Sequence, residues 1–231
     1  MQTVVIALYE GVTHLDFTGP HQFLSGIPGL EVVVASLDAR PIESHGLHFA
    51  HLADLEGQQA CDILCVPGGL GCVPAMEDPR LLRAVRALAE RAGYVTSICT
   101  GSLILGAAGL LRGRRAACHW AWRELLREFG AIPDPARVVR DGCLITGGGV
   151  TAGIDLALSI VAELRGVEVA QAAQLLLEYA PDPPFDAGLP ETAPAAVRQA
   201  VEARMRPALL DALGRTRAVA RELGFTIHQE A

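Results

Sequence analysis

A strand that runs almost directly into a helix leaves a chain few ways to fold. Tyr94-Val95-Thr96-Ser97-Ile98 reads as a β-strand and Gly101-Ser102-Leu103-Ile104-Leu105-Gly106-Ala107-Ala108 as a helix, with only Cys99 and Thr100 between them. A turn this tight lifts one side chain above the end of a sheet, as the nucleophile elbow of G-x-S-x-G enzymes does. Ser97 and Gly101, two positions to either side, are small enough to permit it. Sulfur at that point also faces the free amides of a helix start, which favour an anion. Cys99 is therefore the candidate nucleophile.

The rest of the chain repeats the strand-then-helix order. Strand 3–9 precedes a short helix near Gly19–Leu24, and strand 31–36 precedes a hairpin through Ile42–His51. Strand Ile63–Val66 stops at Pro67-Gly68-Gly69. A helix opens at Pro79 and runs through Ala92, with Leu81, Leu82, Val85, Leu88 and Ala89 at helical spacing. Beyond the elbow come strand Arg115–Cys118, helix Trp120–Phe129, and two strands, Val138–Arg140 and Leu144–Thr146, around the turn signal Asp141-Gly142. The glycine-rich turn Thr146–Gly153 then enters helix Ala152–Leu164. This order predicts an α/β fold, a mostly parallel sheet covered by helices on both faces. Residues 1–180 read as the α/β domain. After helix 167–177, residues 181–231 read as an irregular stretch beginning Pro181-Asp182-Pro183-Pro184 and a helix through 194–223. Its stripe of Val197, Val201, Met205, Leu209 and Leu213 suits docking on the domain or on a partner subunit.

Composition removes several chemistries. All 19 basic residues are arginine, so the chain offers no Schiff-base lysine, Ser-Lys dyad, pyridoxal anchor or Walker A lysine. A net charge of −7 argues against a nucleic-acid surface. No run of about 18 apolar residues suggests a membrane span, and no basic leader precedes the first strand, so a soluble, cytoplasmic protein is expected. Reduced thiols are the expectation in that setting. Cys61, Cys65, Cys72, Cys118 and Cys143 read as core or surface thiols rather than a metal or redox site.

Ligands of open α/β sheets bind beyond the carboxyl ends of the strands. Three segments reach that edge: Glu10–Pro20 after the first strand, Pro67-Gly68-Gly69 after the third, and Cys99-Thr100. The Thr146–Gly153 turn, with Gly149 and Thr151, should lie close by. A cysteine nucleophile needs a proton partner. His228-Gln229-Glu230 has the form of a triad ending but follows a long helix rather than a strand edge. Asp16, in Leu15-Asp16-Phe17-Thr18-Gly19-Pro20, is the better partner, although its spacing equally suits an N-cap of the following helix. Facing Cys99, it would share one proton with an ionised sulfur, the two groups titrating together. Thr100 and the amides of Gly68 and Gly69 are candidate donors to that anion, and turn residues otherwise. His119 suits a hydrogen-bonded structural histidine better than a catalyst, and Trp120 and Trp122 suit packing.

Taken together, the motifs resemble a known family. Thr96-Ser97-Ile98-Cys99-Thr100-Gly101-Ser102, Leu15-Asp16-Phe17-Thr18-Gly19-Pro20, Pro67-Gly68-Gly69, His119-Trp120, Thr146-Gly147-Gly148-Gly149, Thr151-Ala152-Gly153-Ile154-Asp155 and Glu178-Tyr179-Ala180-Pro181 resemble the ThiJ/PfpI superfamily, in the same order and over nearly the whole chain. Their nearest likeness is to its isocyanide hydratase branch. The resemblance implies a flavodoxin-like sandwich, a homodimer, and addition of water to an isocyanide without metal or organic cofactor. It also implies roles: Cys99 as nucleophile, Asp16 as general acid and base, Thr100 as a supporting hydroxyl, and Gly68, Gly69, Gly149, Thr151 and His119 as substrate-binding or supporting positions. Many superfamily members carry glutamate at the position of Asp16, so the aspartate favours the hydratase branch. The same motifs also occur in ligand-sensing regulators, which append a DNA-binding domain, and in glyoxalase or deglycase enzymes.

Overall fold

The computed structural model describes residues 1–225, and the His228–Glu230 pair weighed above lies outside them. In chain order the elements are β1 (Gln2–Ala7), α1 (His14–Ser25), β2 (Leu30–Ser36), β3 (Ile42–Ser44), β4 (Leu47–Phe49), β5 (Ala53–Asp54), β6 (Ile63–Val66), α2 (Cys72–Ala75), α3 (Pro79–Ala89), β7 (Tyr94–Ile98), α4 (Gly101–Ala107), β8 (Arg115–Ala116), β9 (Ile132–Pro133), β10 (Val138–Asp141), β11 (Leu144–Gly147), α5 (Ala152–Arg165), α6 (Val167–Leu176) and α7 (Ala195–Glu222). Seven strands form one sheet in the order β10-β11-β7-β6-β1-β2-β5. All neighbours run parallel except β10, which turns back on β11 through a hairpin.

Strands buried on both faces read as unbroken apolar runs rather than as alternation. Val4, Val5 and Ile6 of β1 are such a run, paired with Val32, Val33 and Val34 on one side and with Ile63, Leu64 and Cys65 on the other. Two groups of helices flank the sheet: α1 packs on α5 and α5 on α6, while α4 packs on α2, α3 and α7. From β1 the chain steps outward to β2 and then returns to β1's other side as β6. That reversal leaves a crevice at the carboxyl ends of β1 and β6, beside β7.

The predicted sheet and hairpins are present, and several element boundaries move. Helix α1 begins at His14, five residues before the predicted start, and runs through Pro20. A proline inside a helix lacks the N–H for the carbonyl four residues back, here that of Asp16. Asp16 therefore lies within α1, and Thr13 occupies the N-cap position without a side-chain cap bond. Strand 115–118 shortens to β8, paired with β9. The predicted helix 120–129 becomes a 3₁₀ segment over Arg123–Phe129, which ends on left-handed Gly130. Trp122 N–H is already held by the His119 carbonyl, and a 3₁₀ coil, rising about 2 Å per residue, spans more length with few residues.

Helix α7 keeps the second half of its stripe. Residues every four positions drift about 40° per step around a helix of 3.6 residues per turn. Val197 and Val201 accordingly stand exposed, Met205, Leu209 and Leu213 are half-buried against the core, and the fully buried residues are Ala212, Thr216, Val219 and Ala220. Small side chains there let the second half of α7 approach α4 and α2. Among the described residues no helix is long and apolar enough to cross a membrane.

Candidate active site

Cys99 holds the left-handed backbone conformation, φ 56°, which costs a non-glycine residue about 1–2 kcal/mol. Its N–H donates to the carbonyls of Gly147 (3.0 Å) and Gly148 (2.8 Å), so the start of the glycine-rich turn pins the elbow from behind. Gly101 makes room in front: a Cβ there would lie 2.1 Å from the Val66 carbonyl oxygen. Ser102 donates to the Ala117 carbonyl at 2.6 Å and accepts from Ser97 at 2.8 Å, tying the turn to the strand it leaves. The strain is thus imposed by hydrogen bonds on both sides, as at a site built to present one atom.

Asp16 reaches the elbow from the opposite direction. It is fully buried. One oxygen, Oδ2, accepts the Gly68 N–H at 2.9 Å, and Oδ1 has no hydrogen-bond partner among the described residues. Two loops clasp each other to deliver it: Thr13 N–H donates to the Gly68 carbonyl at 2.8 Å and Gly71 N–H to that of Gly11 at 3.1 Å. Asp16 Oδ2 and the Cys99 Cβ flank the same point, each 2.8 Å from where a Cβ on Gly68 would lie. Gly68 sits at the junction of all these groups. A Cβ added there would meet the Thr100 nitrogen at 2.5 Å, Asp16 Oδ2 at 2.8 Å and the Cys99 Cβ at 2.8 Å. Gly68→Ala is therefore expected to push apart the carboxyl, the thiol and the amide, cutting turnover by about 100-fold. Overpacking there should also cost about 1–3 kcal/mol, to be read by thermal unfolding. Unchanged kinetics in this variant would contradict the arrangement.

Burial pushes the Asp16 carboxyl up to about 7, against the opposing pull of the Gly68 amide and the Cys99 thiol. Burial also pushes the Cys99 thiol well above its ordinary value, followed by the nearby Asp16 charge and Cys118, with the Thr100 amide opposing. Burial opposes charge on either group, so the pair titrates together around a shared proton. The carboxyl, raised to about 7, titrates near neutrality.

Thr100 Oγ1 accepts from Gly69 N–H at 2.8 Å and donates to the Gly69 carbonyl at 3.0 Å, so its hydroxyl stitches the elbow to the Pro67–Gly69 loop. Gly69 itself has φ 144°. His119 is half-buried, its pKa lowered by burial, and Nδ1 accepts the Ala121 N–H at 3.3 Å. Its ring packs on Gly149, where an added Cβ would lie 3.3 Å from His119 Cδ2. Thr151 is exposed at the start of α5, its hydroxyl accepting from Arg137 at 3.1 Å, and Arg137 also pairs with Asp155. Tyr179 donates to Asp155 at 3.0 Å, completing a surface tie. Cys99, Asp16, Thr100, Gly68 and Gly69 therefore converge, while His119 packs on Gly149 and Thr151 is exposed beside Arg137. Sequence reasoning missed Tyr9, whose buried hydroxyl donates to the Pro67 carbonyl at 2.8 Å. A lone tyrosine ending the first strand carried no motif.

Residues 2–163 match the model of the DJ-1/PfpI family. Over 203 residues the chain is 51% identical to a Pseudomonas putida protein named isonitrile hydratase, covering 87% of this chain and 89% of that one. A Pseudomonas aeruginosa transcriptional regulator, CdhR, is 34% identical over 142 residues, which are 59% of this chain and 41% of the regulator. Among solved structures, a ThiJ/PfpI family protein from Pseudomonas syringae superposes with a TM-score of 0.90 at 42% identity, covering 95% of this chain and 90% of the other.

Proposed function

We propose, from the premise that this chain belongs to the DJ-1/PfpI family, that it is an isocyanide hydratase converting R–N≡C and water into the formamide R–NH–CHO. The observation that carries this reading is a buried aspartic acid and a strained, buried cysteine brought together across Gly68, together with the 51% identity to a protein named isonitrile hydratase. The regulator's likeness covers only 41% of its own length, so the sensor alternative has less support. On this reading the enzyme acts in the cytoplasm as a homodimer, without a nucleic-acid partner. Leu175, Leu176, Phe185 and Leu189 support the dimer, since they stand exposed from the end of α6 onward.

The chemistry follows from one proton passing between two groups. An isocyanide is an uncharged, soft electrophile at its terminal carbon, suited to sulfur and to a site bounded by apolar and glycine residues. Ionised Asp16 takes the Cys99 proton as sulfur attacks that carbon, then returns it to the same carbon. The product is a thioimidate, R–N=CH–S–Cys99, and Asp16 is again ionised. In the second half Asp16 takes a proton from water as its oxygen adds to the thioimidate carbon, and passes that proton to nitrogen. The tetrahedral adduct collapses, the carbon–sulfur bond breaks, and the hydroxyl proton returns to sulfur through Asp16. Thr100 and Gly69 hold the elbow against the loop that carries the Gly68 amide.

Purified protein is expected to convert p-nitrophenyl isocyanide and cyclohexyl isocyanide to their formamides, followed by mass spectrometry, and to leave methylglyoxal unchanged. Failure on every isocyanide, with consumption of methylglyoxal, would replace this reading by the glyoxalase one.

A further inference from the structure

We infer that Tyr9 is a positioning residue that sets the proton affinity of Asp16 through a single peptide group. Tyr9 Oη donates to the Pro67 carbonyl at 2.8 Å, and the N–H of that same peptide, on Gly68, donates to Asp16 Oδ2 at 2.9 Å. Both bonds are buried. A donor on the oxygen of an amide draws electron density from its nitrogen and makes the N–H a stronger donor, so the two bonds reinforce each other. The phenol reaches the carboxylate electronically without touching it.

The phenol cannot switch off within the working range. Burial, with Cys72, Asp16 and Cys99 adding to it, holds the Tyr9 hydroxyl protonated well beyond its ordinary value. The other titratable groups that face Asp16 are thiols: Cys65 on β6, Cys72 at the start of α2, Cys99 at the elbow and Cys118 after β8. Burial pushes all of them up, so Asp16 is the member of the group that changes charge near neutrality. Oδ1 has no hydrogen-bond partner among the described residues. The Gly68 amide is consequently the carboxylate's one backbone donor there, and whatever strengthens it is felt in full.

This inference rests on the reading that Asp16 handles the proton of Cys99, and its test does not depend on turnover. The rate of Cys99 alkylation by iodoacetamide from about pH 5 to about pH 10, followed by mass spectrometry of the Cys99 peptide so that exposed Cys143 does not contribute, reports the titration of the pair. Tyr9→Phe keeps the ring and removes only the donor. Its lower inflection should move to higher pH by roughly 0.3–0.7 unit, because a weakened amide stabilises the carboxylate less. Site-specific 3-fluorotyrosine at position 9, a stronger donor, should move it to lower pH and keeps the test open if the phenylalanine variant folds poorly. Inflections that stay within about 0.1 unit in both variants, or that move together in one direction, overturn the inference. A merely structural role would lower the melting temperature and scale the rate at every pH alike. A moved inflection in a protein that turns over no isocyanide would leave this inference standing and remove the proposed function.

Discussion

Cys99→Ala and Cys99→Ser are expected to lose isocyanide turnover by about 10⁴-fold or more, the scale seen when a nucleophile that acts as part of a unit is removed. Alanine leaves nothing to bond the terminal carbon. Serine keeps the geometry but not the chemistry, because a carboxyl that titrates at about 7 is a poor base for an alcohol and oxygen is the harder nucleophile. Neither change should unfold the protein. The left-handed φ of 56° is imposed by the Gly147 and Gly148 carbonyls, and alanine or serine bears the same strain. Melting temperatures within a few degrees of the parent, which is about 1 kcal/mol for a chain of this size, would show that the loss is chemical. Alanine variant protein still forming formamide at the parent rate would remove the covalent mechanism.

The elbow was legible because its signals are local and coincide: a β-branched run, small residues at either shoulder, and a helix immediately after. The sheet was legible for a related reason. Val4–Ile6 and Ile63–Val66 carry no polar face, so they can only be covered strands. What lay hidden was set by distant contacts. Strands β5, β8 and β9 have two residues each and exist because a neighbour pairs with them, which no local propensity encodes. Pro20 hid the true start of α1, and with it the fact that Asp16 is a helical residue held by Gly68 rather than a cap. The meeting of Asp16 with Gly68 spans 52 positions and depends on the interlocked Gly11–Thr13 and Gly68–Gly71 turns. The residues were nameable from the sequence, the Gly68 amide among them as a donor, but the close approach of all of them to this one glycine was not. How completely the site is buried, which opposes charge on the sulfur, is not visible in a helix start.

Asp16→Asn should make the protein nearly inactive and, at alkaline pH, more stable. The activity loss is that of a general acid and base, about 10²–10⁴-fold, since asparagine can neither take the thiol proton nor return one to carbon. The stability gain follows from the sign of the linkage. The carboxyl titrates at about 7 in the folded protein against an ordinary value of 3.8, so the folded state holds its proton more tightly than the unfolded chain. Its favourable contribution is complete below about pH 4 and is lost as pH rises through about 7. Above that, an ionised carboxylate stays buried with one oxygen unpaired, at a cost of up to roughly 4 kcal/mol. Asparagine has the same shape, can accept from the Gly68 N–H, and carries no charge. Parent and variant should therefore melt at similar temperatures near pH 4. By pH 8 the variant should melt several degrees higher, about 1–3 kcal/mol of gain. Parallel melting curves across that range, or near-normal turnover by the variant, would mean that Asp16 does not hold the shared proton. A stability that rises as activity disappears would instead show that this fold keeps a buried acid for its chemistry and at the expense of its own stability.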